Sequence, residues 1–360
     1  MRASAAPREA GAQVALASLR PGNGTLVRIG LIGALLAFVL AALPEMISVY
    51  WIDVLTAVAI YAVVCLGLNL LVGRVGLVSL GQMAILALGA WIAARLDFAS
   101  GLPFPVVLLA TGVLTAFLGM LVGLPALRVS GLYLALITLM LAGAITVVLT
   151  STNFPNGGGG FLGHTDSSFG GNGIRRPSIA TSDPAYYRYA VLVAAVMFLL
   201  ALLHVRSSPG RAWAAIRQSE PAALAAGVNV TLYKLWAFAL AAFMTGIAGG
   251  VLGGSAGNLY TYQFTTQSSI TLLAVVLMGG IFSIWGAVVA AILLQLLPAL
   301  LDNWGAPPDL LTVIFGVGVL QVLVTAPEGL VVQVPRDLTN LGRLLMRLGR
   351  MAVARAGASP

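Results

Sequence analysis

Long apolar runs, interrupted by glycine, proline or an isolated charge, set the pattern of this chain from residue 27 to residue 326. A helix crosses a bilayer with roughly 17–25 predominantly apolar residues. Ten runs approach or reach that length, over 27–44, 50–72, 76–94, 105–127, 131–150, 188–205, 235–257, 268–283, 285–301 and 310–326. The stretch 268–301 allows two forms, one long tilted helix or two short helices broken around Gly279, Gly280 and Gly286. The pattern predicts an all-α polytopic membrane protein of about ten transmembrane helices. A segment 1–26 precedes the membrane domain 27–334, and a basic tail 335–360 follows it.

Two polar stretches interrupt the runs. The first, "STNFPNGGGGFLGHTDSSFGGNGIRRPSIATSDPAYY" (151–187), is dominated by glycine, serine, proline and asparagine and predicts an irregular surface loop. The second, "SSPGRAWAAIRQSEPAALAAGVNV" (207–230), predicts two short helices. Pro209 suits a helix start, and Trp213 and Ile216 share one face while Arg211 and Arg217 are left to water or an acidic partner. Ser219 can cap a second helix with Glu220 and Pro221 in its first turn, and Gly227 can end it in a left-handed conformation. Helices this short need a surface to pack on.

Composition narrows the class. Hydrophobic residues make up 59% of the chain and charged residues 8%, against about 45–50% and about 25% in soluble domains. The net charge of +8 gathers at Arg2, Arg8, Arg20 and Arg28, at Arg206, Arg211, Arg217 and Lys234, and at Arg336, Arg343, Arg347, Arg350 and Arg355. That distribution is a topology signal and an attraction to anionic lipid, not a nucleic-acid surface. Glu45 with Asp53, and Asp302 with Asp309, mark acidic connections for the outer side. Ten spans then keep both termini and the 207–230 loop cytoplasmic. The run Ile29–Leu43 after Arg28 resembles a signal-peptide core, but further spans follow directly, so a retained first span is expected.

Catalytic chemistry is sparse. The single cysteine, Cys65, excludes an internal disulfide, and His164 and His204 lack metal-motif spacing. Gly158, Gly160 and Gly163 form a GxGxxG with neither strand before it nor helix after it. The sole lysine, Lys234, belongs to no phosphate-binding loop, so any ATP must be bound by another subunit. Arg74, Arg95 and Arg128 fall at span boundaries and Asp53 near an end, which leaves no proton relay. No pattern asks for a metal or cofactor. An integral membrane enzyme would need clustered acids or histidines, and a self-sufficient carrier would need intramembrane charges. In "MTGIAGGVLGGSAG", Gly246, Gly250 and Gly254, and Gly249, Gly253 and Gly257, form two small-residue stripes suited to close helix packing.

The chain resembles the permease subunits of branched-chain amino-acid ABC importers. The segments that carry the resemblance are "LGLNLLVGRVGLVSLGQMAILALGAW" (66–91), "LRVSGLYLALITL" (127–139), residues 208–250, "LLAVVLMGGIFSIWGAVVAAILLQLLP" (272–298) and "TAPEGL" (325–330). It implies a multi-pass protein of the bacterial inner membrane that works with a second homologous permease, two cytoplasmic ATP-binding subunits and a periplasmic solute-binding protein. It also implies that 207–230 holds the helix that couples to the ATPases, with Arg211, Arg217, Glu220, Ala222, Ala223 and Gly227 as its candidate residues. The family pattern of Glu-Ala-Ala, three residues, then Gly is met except at its first position, where Pro221 stands and the acid moves to Glu220. Gln82 stands where the family often has histidine, and "TLMLAGAI" lacks a common membrane glutamate. Related importers carry urea and short amides, so the solute stays open between these and leucine, isoleucine or valine. Ser79, Gln82, Tyr133, Thr138, Gly279 and Gly280 either line the solute pathway or serve only as helix-contact positions.

Overall fold

The architecture rests on one long helix, Val230–Ala256 (α9), that is buried for most of its length between its neighbours. A computed structural model describes residues 33–127 except 35, residue 129, residues 131–151, 176–257 and 261–305, and scattered positions from 307 to 333. The chain divides into two units, Met1–Val49 and Tyr50–Pro360. Within the first, a short helix Leu43–Met46 (α1) begins with Pro44 in its first turn.

The second unit contains Val49–Val75 (α2) from its second residue on, then Gln82–Ser100 (α3), Phe104–Gly123 (α4), Leu132–Ser151 (α5), Asp183–Arg206 (α6), Ser208–Gln218 (α7), Glu220–Ala225 (α8), α9, Thr266–Gly279 (α10) and Gly286–Asn303 (α11). Among the described residues there is no strand, and seven helices are long and apolar enough to cross a membrane: α2, α3, α4, α5, α6, α9 and α11. The helix α10 is apolar but has 14 residues, short of a full span. Of the ten expected spans, the first is described only from residue 33 on, without 35, and the tenth only at scattered positions. The two-helix form of 268–301 is the one observed, with the chain turning between Gly280 and Trp285.

Glycine on α9 lets its neighbours approach. A methyl on Gly246 would run into Thr115 of α4, and one on Gly249 into the Leu86 carbonyl of α3. Gly250 faces Leu108 and Ala93, and Gly254 faces Tyr186 and Phe104, so the stripe of Gly246, Gly250 and Gly254 is a packing surface; of the other stripe Gly249 packs closely, whereas Gly257 has open space beside it. The Tyr186 hydroxyl donates to the Val251 carbonyl at 2.6 Å and so fixes α6 on α9. By contrast, Leu109, Val113, Phe117, Met140, Val147, Leu192, Val196 and Leu203 are exposed, leaving α4, α5 and α6 with apolar outer faces.

The expected span 76–94 is wrong at its start. Residues 76–81 are not helical, and α3 begins only at Gln82. Leu77, Ser79 and Gly81 are buried, so irregular backbone lies inside the bundle, where protein groups must satisfy it. The Leu80 amide donates to Thr138 Oγ1 at 2.9 Å, and Thr138 Oγ1 in turn donates to the Ala135 carbonyl at 3.0 Å. Just before the break, α2 ends in a π-helical turn, Leu70–Val75, closed by Gly76 in a left-handed conformation.

Candidate functional site

The loop between α6 and α9 folds as its local chemistry demands. Pro209 sits in the first turn of α7, whose N–H groups have no helical acceptor. The inner face of α7 presents Ala212, Trp213 and Ile216, all buried, and the Trp213 indole N–H donates to the Tyr233 carbonyl at 2.9 Å. Ser219 then caps α8 by accepting from the Ala222 amide at 3.4 Å. At the other end the Gly227 amide donates to the Leu224 carbonyl at 2.9 Å and the Val228 amide to the Ala223 carbonyl at 3.0 Å. This paired closure is the Schellman pattern, and Gly227, at φ 81°, is the residue it needs at the left-handed position.

Three ties hold the loop to the bundle. Trp213 bonds the start of α9. Glu220 Oε1 lies 2.6 Å from Nζ of Lys234, whose side chain is only 5% exposed. Arg217, expected to be available to water or an acidic partner, is exposed, yet it also donates to the Gly73 carbonyl and sits 4.5 Å from the centre of the Phe282 ring. The Gly73 carbonyl is free for it because α2 ends two residues later. Close approach also explains the glycine, since a Cβ at position 73 would collide with the Ile281 carbonyl. Arg211 donates to Ser208 Oγ at 2.9 Å. Of the remaining loop residues, Ala223 is buried, whereas Ala222, Leu224 and Gly227 are exposed.

The expected pathway residues separate into three places. Ser79, Gln82 and Thr138 come together at the broken start of α3, all buried. The Ser79 hydroxyl accepts from the Gly81 amide at 3.4 Å. Both polar atoms of the Gln82 side chain, and Thr245 Oγ1 nearby, lack hydrogen-bond partners. A methyl on Gly67 would lie 3.0 Å from that hydroxyl and 3.2 Å from Gln82 Nε2. Gly279 and Gly280 instead form the tight turn after α10, where the Asn69 amide donates to the carbonyls of Gly280 at 3.1 Å and Ser283 at 3.0 Å. Tyr133 joins neither group and stands on the exposed face of α5. Sequence reasoning missed Asn69, the Glu220–Lys234 pair and exposed Leu224; the paired glycines at 76 and 81 were the available sign of the broken helix.

His204 lies near the end of α6, where its Nδ1–H donates to the Leu200 carbonyl at 2.9 Å and its ring lies 6.0 Å from that of Trp236. Among the described residues no group of three or more His, Cys, Asp or Glu is placed to hold a metal ion. His164 and the GxGxxG of the 151–187 loop lie outside the described residues.

The family model described as "Branched-chain amino acid transport system / permease component" matches residues 50–323. The chain belongs to that family. It is 30% identical over 302 residues to the high-affinity branched-chain amino acid transport system permease protein LivM of Salmonella typhimurium, covering 76% of this chain and 68% of that protein. The same identity and coverage hold for LivM of Escherichia coli. The ribose import permease protein RbsC of Haemophilus influenzae is 24% identical over 273 residues, 73% of this chain and 80% of that protein. No solved structure matches the chain at a comparable level. The match begins where the second unit begins and covers the loop, its three ties and the broken helix. The protein is thus a multi-pass membrane permease component of the branched-chain amino-acid transport type.

Proposed function

We propose that this chain is the membrane permease of an ABC importer that moves leucine, isoleucine and valine across the bacterial inner membrane. The observation that carries the proposal is a two-helix loop, capped and tied to the bundle, within a chain 30% identical to two branched-chain amino-acid permeases. Energy comes from two ATP-binding subunits on the cytoplasmic side, where the loop and both termini lie. A periplasmic binding protein delivers the solute, and a second homologous permease completes the membrane pathway. The ATPase surface is α8 with its Gly227 stop, which offers Ala222 and the 59% exposed Leu224. Ala223 supports that surface from beneath, and Glu220 anchors it. The solute passes the broken segment at Ser79–Gln82 and its Thr138 clamp, with the Gly279–Gly280 turn toward the cytoplasmic end. Nucleotide closure displaces α8 and shifts the bundle between its two populations of conformers.

The test is reconstitution of the complete transporter in liposomes with its binding protein. Leucine uptake that requires ATP is expected, with isoleucine and valine competing and urea and ribose failing to compete. Uptake of ribose or urea in place of leucine would refute the solute assignment. Leu224→Asp is expected to abolish co-purification of the ATPase while the chain still inserts in the membrane. Normal assembly of that variant would show that α8 is not the contact.

A further inference from the structure

Beside the loop, an open cavity of about 500 Å³ is lined by Gly73, Arg74, Val205, Gly210, Arg211, Ala214, Arg217 and Gln218. Three arginines therefore border one space, and no acidic residue is among the lining residues. Arg74 has no hydrogen bond or ion pair within the described residues, and its Nε is buried without a partner. Arg217 spends one nitrogen on the Gly73 carbonyl and Arg211 one on Ser208. Arginine donors that remain free around a concave space of ligand size recognise phosphate or carboxylate oxygens.

The position of the cavity favours a lipid. Arg74 ends the membrane-spanning α2, and Val205 lies in the last turn of the membrane-spanning α6, so the space opens where two spans leave the apolar layer. Exposed tryptophans mark that level: Trp236 beside His204 near the end of α6, and Trp285, stacked on Phe198, in the turn that also holds Phe282 under Arg217. Tryptophan collects at the membrane–water interface, and basic pockets between spans at that depth take anionic headgroups. The lining of Val205, Ala214 and two glycines leaves room for a glycerol backbone beside the phosphate.

We propose that Arg74, Arg211 and Arg217 form a binding site for the phosphate of an anionic phospholipid headgroup, which bridges the end of α2 to α7. The lipid supplies the negative charge that this face of the loop lacks. It thereby makes docking of α7, and transport that depends on it, sensitive to anionic lipid.

The full-length chain, purified in neutral detergent, is titrated with phosphatidylglycerol or phosphatidylcholine, and bound lipid is counted by native mass spectrometry. Wild type is expected to retain phosphatidylglycerol, and the double variant Arg74→Gln/Arg211→Gln to bind it about 30-fold more weakly. Arg217 is left intact because it holds the Gly73 carbonyl; the Arg74 side chain makes no hydrogen bond among the described residues, so its replacement is expected to spare the fold. Equal retention by the double variant, or equal retention of zwitterionic phosphatidylcholine by wild type, overturns the proposal. Displacement by millimolar inorganic phosphate assigns the site to free phosphate and overturns the lipid. Loss of the lipid when the ATPase subunits are added overturns it too, because an acidic group of the ATPase then owns the cavity.

Discussion

Glu220 and Lys234 give the sharpest handle on how the loop is held. Nζ of Lys234 lies 2.6 Å from Glu220 Oε1, with the lysine side chain 5% exposed and the glutamate 45%. Removing one partner of a fully buried pair costs about 3–5 kcal/mol, because a charge is left without compensation. Half of this pair faces water, so the figure falls to about 2 kcal/mol. Glu220→Gln should therefore loosen α8 locally rather than unfold the bundle, since the Trp213 and Arg217 ties remain. Amides that bond inside the loop report the opening: Ala223, Ala226, Gly227 and Val228. In hydrogen–deuterium exchange of the full-length chain in nanodiscs, these should exchange about 30-fold faster, the factor that 2 kcal/mol represents. Replacing both partners, as Glu220→Gln/Lys234→Met, removes the stranded charge and should return exchange to within about threefold of wild type. Unchanged exchange in the single variant, or a double variant as fast as the single, would refute the assignment of this pair as a tie.

Two further outcomes check the bundle. Gly246→Val drives a side chain into Thr115 and should cost about 2 kcal/mol or more, read as an earlier thermal transition in detergent; Gly143→Ala, whose nearest outside atom is Thr266 Oγ1 at 3.8 Å, should leave that transition in place. Thr138→Val strands the Leu80 amide inside the protein at a cost of about 1–3 kcal/mol, so exchange at Leu80 should accelerate at least about fivefold, while Thr138→Ser keeps the acceptor and the wild-type rate.

What could be read from the sequence follows the range of the forces involved. The loop was legible because Pro209, Ser219 and Gly227 act within one turn of themselves, and the buried pair Trp213 and Ile216 lies on one helix face. The α9 stripes were legible for the same reason, since a four-residue period fixes one face whatever packs there. The break at 76–81 was not legible as a break, because Leu77, Val78 and Leu80 continue the apolar run through it. What decides it is a hydroxyl 58 residues away, Thr138, that satisfies an amide no helix satisfies. The two-helix form of 268–301 likewise depends on Asn69, 211 residues before the Gly280 carbonyl it binds. Arg217 is exposed, as expected of its position on α7, but its bond to the Gly73 carbonyl was not legible, because nothing in its own segment shows that α2 ends beside it.

These distant bonds have a common geometry. Arg217 joins α7 to the end of α2 and to Phe282; Asn69 joins the end of α2 to the 280–283 turn; Trp213 and Glu220 join α7 and α8 to the start of α9. The loop, the end of α2, the turn and the start of α9 are thus cross-braced, and a force on α8 passes into α2 and α9 together. Farther along, α2 and α9 meet at Gly67, Ala241 and Thr245, beside the Gln82 side chain at the start of α3. Between the braced end and that start lies Gly76–Gly81, which has no helical ladder and whose Leu80 amide is held by one hydroxyl. Regular helix resists such a force through many backbone bonds at once, whereas this segment resists it through few. Under the proposed coupling, displacement of the loop is expected to be taken up at the broken helix. Thr138→Ser and Thr138→Val, which differ in that single hydrogen bond, should separate in transport rate even where both assemble with the ATPases.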